Sequence, residues 1–85
     1  MMGIELYHRV VLTKDVPDEN LKEGDVAVVV EKLPPTRESK GEPSIALEAF
    51  NALGDTTAVV FVPESFVRPL ASDEILHIRK LAHAV

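Results

Sequence analysis

The run Gly24-Asp25-Val26-Ala27-Val28-Val29-Val30-Glu31-Lys32-Leu33 decides how this chain folds. The five residues after the Gly-Asp pair are all Val or Ala. A run that apolar and β-branched predicts a strand over Val26–Leu33, covered on both sides. Gly24 stands where the tight turn into that strand calls for a positive φ, which glycine adopts without steric cost.

Short β segments extend from this strand in both directions. Upstream, residues 6–13 alternate Leu6, His8, Val10 and Leu12 with Tyr7, Arg9, Val11 and Thr13, a period of two that places Val10 and Leu12 on the core side. Residues 14–25 are polar and rich in turn formers (Pro17, Asp18, Asn20, Gly24), with Leu21 as an apolar anchor expected to fold back onto the sheet. Downstream, residues 34–43 hold Pro34-Pro35, Gly41 and Pro43 among charges and read as a solvated loop. Ser44–Phe50 alternates again, Asn51-Ala52-Leu53-Gly54-Asp55 is a hairpin connection, and residues 56–62 return antiparallel. Pro63 has no N–H and ends that ladder. Residues 66–70 form a last short strand, placed at an edge by Pro69.

In the tail, residues 72–85, the period changes. Ile75, Ile78, Ala82 and Val85 fall on one helical face, Ser72 and Asp73 are suited to cap its start, and Arg79, Lys80 and His83 lie toward its end. The pattern predicts a short C-terminal helix, with a strand or extension through residues 74–80 as the alternative. Together these elements predict a mainly β fold: one domain spanning residues 1–85, a small SH3-like five-stranded barrel over about 6–70, and the extension 72–85. Its expected core is Val10, Leu12, Val28, Val30, Leu47, Val59 and Phe61.

Composition narrows the function classes. The 85 residues carry 14 Asp+Glu against 9 Lys+Arg, a net charge of −5, which opposes a generic phosphate-backbone binder and makes nucleic acid an unfavoured partner. With 46% hydrophobic residues the chain is too apolar for a disordered segment, yet no run approaches the roughly 18 residues of a membrane span. No cysteine is present, which removes disulfides, thiolate metal sites and thiol nucleophiles and fits the reducing cytoplasm. The first residues, Met1-Met2-Gly3-Ile4-Glu5, show neither the basic nor the apolar region of a secretory signal.

The chemistry-bearing residues are dispersed. His77 and His83 are six apart, about 240° around a helix, and cannot share an ion from one face. His8 shares a strand face with Val10 and reads as a core-edge histidine. Asp15, Asp18, Glu19 and Glu23 read as solvated loop charge, and the serines lie in turns without a nucleophile context. These residues call for no catalytic group, metal or cofactor. The candidate that stands out is a protein-contact surface near the C-terminus: Arg68, Arg79 and Lys80 gather positive charge there, and Ile75 and Ile78 must meet another chain, or a second copy of this one, unless they pack on their own barrel.

Several stretches resemble a known family. Asp15-Val16-Pro17, Leu21-Lys22-Glu23-Gly24-Asp25-Val26, Glu48-Ala49-Phe50-Asn51-Ala52-Leu53-Gly54-Asp55, Val67-Arg68-Pro69-Leu70 and Asp73-Glu74-Ile75-Leu76-His77-Ile78-Arg79 are similar to a group of small uncharacterised SH3-like domains common in cyanobacteria. More distantly they resemble the small ferredoxin-docking subunit of photosynthetic complex I. The resemblance implies a non-catalytic barrel that acts as an interaction module. It also implies, as narrower roles, an electron-transfer docking subunit, or an antitoxin or immunity protein beside a toxin-like partner. The motifs are turn and core residues, so they imply a fold and no chemistry.

Overall fold

A computed structural model describes residues 4–38 and 40–81. Five strands follow in chain order: β1 (Arg9–Leu12), β2 (Val26–Leu33), β3 (Ser44–Phe50), β4 (Thr56–Pro63) and β5 (Val67–Pro69). They form one antiparallel sheet in the order β4-β3-β2-β1-β5. The predicted mainly β, five-stranded architecture is the one observed. The sheet is not closed: β4 and β5 are its two edges and do not pair with each other.

Side chains of all five strands share one buried cluster, which includes Val10, Leu12, Ala27, Val29, Ile45, Leu47, Ala49, Val60, Val62 and Val67. Val29, Ile45 and Leu47, in the central strands, are fully buried. Ile4 and Leu21 complete the cluster from outside the strands. Leu21 is carried back by a turn over Pro17–Glu19, closed by bonds between Val16 and Leu21, as the sequence led one to expect. Lys32 Nζ donates to the Ile4 carbonyl at 2.7 Å and holds the N-terminal segment against the sheet.

Two strands present the opposite face from the one predicted. Ala27 and Val29, not Val28 and Val30, point into the core on β2. On β4, Val60 and Val62 are buried, whereas Val59 and Phe61 are more than half exposed. Pairing explains the phase. Glu48 on β3 sits between Val28 and Val59, and directly paired residues share a face, so the charged residue takes both valines outward with it. Between Val29 and Glu31 the register slips, a bulge that gives Val30 no partner of its own.

The remaining differences are local. The strand predicted over 6–13 begins only at Arg9, because Tyr7 takes a left-handed conformation (φ 66°) while its N–H bonds to Val29. That conformation is costly for a bulky residue. His8, expected at the core edge, is exposed, with Glu5 3.7 Å away. The predicted C-terminal helix is absent from 72–81, which run as an unpaired extension; Ala82, His83 and Val85 lie outside the described residues. A helix this short is marginal in water, and β-branched Ile75 and Ile78 weaken it further.

Gly24 has φ +94° and its N–H bonds to the Leu12 carbonyl, while a Cβ there would meet nothing within 4 Å. Gly24→Ala is therefore expected to cost about 1 kcal/mol through backbone strain alone, read from urea unfolding. Leu47→Ala is expected to cost about 2–5 kcal/mol and Val59→Thr less than about 0.5 kcal/mol. The reverse order would put the wrong face of the sheet inside.

Candidate partner-binding surface

The extension after β5 is fixed to the outer face of the sheet at two points. At the first, Arg68 on β5 makes a two-pronged contact with Glu74, its Nη1 3.1 Å from Oε1. Ala71 N–H also donates to Glu74 Oε1 at 2.7 Å, and Glu74 N–H closes the turn onto the Ala71 carbonyl. These bonds explain the acidity of Glu74: the Arg68 guanidinium, then the Ala71 N–H, hold its carboxyl down to about 2.

The second point joins positions 54 residues apart. Arg79 Nε donates to Asp25 Oδ1 at 2.8 Å and a terminal nitrogen to Oδ2, while the same nitrogen reaches the Asn20 carbonyl at 3.0 Å. Asp25 is oriented from its own turn by Lys22 N–H at 2.8 Å. Burial of Asp25 opposes its ionisation. The Arg79 hydrogen bond, the Lys22 N–H and the Arg79 charge outweigh that burial and lower its pKa. The two side chains are only 19% and 29% exposed, so this pair is better shielded from solvent than the first.

Between and beyond these anchors the extension is apolar. Ile75 is 91% exposed and Ile78 83%, with Leu76 and Leu81 partly covered. Leu76 lines, with Val11, Val26 and Leu70, a cleft of about 600 Å³ between the extension and the sheet. Asp25 and Glu74 also border it, but both are kept ionised by an arginine and neither is a proton donor near neutral pH. No cluster of three or more metal-ligating side chains occurs among the described residues. No described helix is long and apolar enough to cross a membrane.

The predicted contact residues thus separate into two groups. Ile75, Ile78 and Lys80 are exposed, as a contact surface requires. Arg68 and Arg79 are bound within the chain and act as anchors. Their partners Asp25 and Glu74 were not among the predicted site residues: Asp25 reads as part of a turn, and nothing in the spacing marks a bond between positions 54 residues apart.

The family comparison fits this geometry. The model of a family described as a domain of unknown function (DUF4926) matches residues 6–69. The chain belongs to this DUF4926 family. The match ends at Pro69, the last residue of β5, so the extension lies beyond it. No curated protein and no solved structure matches the chain.

The anchors give the DUF4926 chain an acid-sensitive extension. The Glu74 pKa is lower when folded than its ordinary 4.5, so the Arg68–Glu74 contact contributes stability above about pH 4.5 and loses it as pH falls toward 2. In an NMR titration the Ile75 and Leu76 methyl shifts are expected to move with a midpoint near 2. A midpoint at 4.5 would mean that the pair does not form. Arg79→Gln is expected to speed proteolysis within residues 74–81 with the sheet intact, because it frees the far end of the extension.

Proposed function

We propose that this protein is a non-catalytic protein-interaction module of the cytoplasm whose contact element is the extension around Ile75 and Ile78. One observation carries the reading: two isoleucines stand almost wholly in solvent on a segment tied down on both sides of them. A loose segment would lose conformational freedom on binding. One already fixed at Glu74 and Arg79 loses little, so the anchors favour association. Exposed apolar groups held in place in this way are the usual signature of a protein contact.

The net charge of −5 favours a partner with basic margins around an apolar groove that receives the isoleucines. A toxin-like enzyme with a basic active site is one such partner, and the module would then serve as its antitoxin. The same charge works against an acidic ferredoxin and against nucleic acid. The absence of cysteine supports the reducing compartment.

The test uses products of neighbouring genes, produced singly and titrated against the protein. A partner is expected to bind the wild type and to lose at least about tenfold in affinity toward the Ile75→Asp/Ile78→Asp variant, a loss of about 1.4 kcal/mol or more. The melting temperature is expected to stay the same, since neither side chain is buried. A partner that binds both forms equally would remove the extension from the interface.

A further inference from the structure

β4 is the long free edge of the sheet. Seven of its eight residues pair with β3 on one side, and none pairs with a described strand on the other. The opposite edge, β5, has three residues and ends in a proline. One hydrogen bond fixes which backbone groups of β4 are free: Glu64 N–H donates to the Pro43 carbonyl at 2.9 Å. Bonded positions alternate along an antiparallel ladder, so Val62, Val60 and Ala58 direct their backbone groups at Ile45, Leu47 and Ala49. The N–H and C=O groups of Val59 and Phe61 therefore point away from the sheet; Thr57 sits at the register shift, where the alternation breaks.

Natural edges are defended by charges, prolines or bulges. β4 has none of these between Ala58 and Val62; its register shift lies before Ala58 and its proline comes last. Thr56–Pro63 is also the longest run without a charge in the sequence. Val59 and Phe61 add apolar surface beside the free groups, at 56% and 59% exposure.

We propose that the β4 edge pairs antiparallel with β4 of a second copy, joining two sheets across a two-fold axis. The chemistry selects this occupant. Antiparallel pairing of one segment with itself is self-complementary. With the axis at Val60, Val59 of each copy lies opposite Phe61 of the other, a favoured β-branched–aromatic pair, and about four backbone hydrogen bonds form. Two chains of charge −5 repel each other, and this edge is where they meet without bringing carboxylates face to face over seven successive positions, 57–63. The surface is separate from the extension, so the dimer stands or falls independently of the proposed function.

Sedimentation and light scattering at about 100 µM decide the matter. The wild type is expected at about 19 kDa, twice the 9.3 kDa of one chain. Val59→Lys and Phe61→Lys are expected to give folded monomers by circular dichroism, whereas Ile75→Asp/Ile78→Asp stays dimeric. Amide exchange of the wild type is a readout that does not depend on the variants folding: the Val59 and Phe61 amides are expected to be protected. A wild-type monomer, a dimer that survives both lysines, or rapid exchange at those two amides would each overturn the proposal.

Discussion

The pairing of β2 with β3 governs the rest of this small protein. Val29, Ile45 and Leu47 are fully buried in these two strands, and without disulfides such packing has to supply most of the stability. Once Glu48 turns outward, Leu47 and Ala49 must turn inward, and the antiparallel register carries the choice to β1 and β4. Burying that carboxylate without a partner would cost far more than the bulge at Val30 does. One polar residue therefore orients a largely apolar sheet.

The outer face follows from the same choice. Val11 and Val26 are left there, apolar and close to a sheet edge, and the extension after β5 runs over them. Leu76 covers part of this surface, while Ile75 and Ile78, at the same cleft, remain largely in solvent. The segment is therefore half core and half display, and Arg68 and Arg79 keep those two roles from exchanging.

Much of the fold was legible in the sequence because turn chemistry is local. Gly24, the Asn51–Asp55 connection and Pro63 each act within a few residues, and the strand limits of β3 and β4 came close to the observed ones. Inward and outward faces were harder to read. Val26–Val30 and Ala58–Val62 contain no polar residue, and an unbroken apolar run has no alternation from which to take a phase. The information lay one strand away, in Glu48, and needed the hairpin register to be used. The extension was harder still. Its apolar spacing satisfies a helix, and what excludes one is a pair of ion pairs to Asp25 and Arg68, contacts between distant positions that no single-segment pattern contains. Ile75, Ile78 and Lys80 were recognisable as surface; that the two arginines serve as internal fasteners was not.

The split of the anchors across the family boundary has an evolutionary corollary. Asp25 and Arg68 lie inside the matched region, residues 6–69, whereas Glu74 and Arg79 lie beyond it. Each ion pair therefore joins the matched scaffold to a segment outside the match. Losing the acid at position 25 would leave Arg79 without its carboxylate partner, which gives the two residues a physical reason to change together.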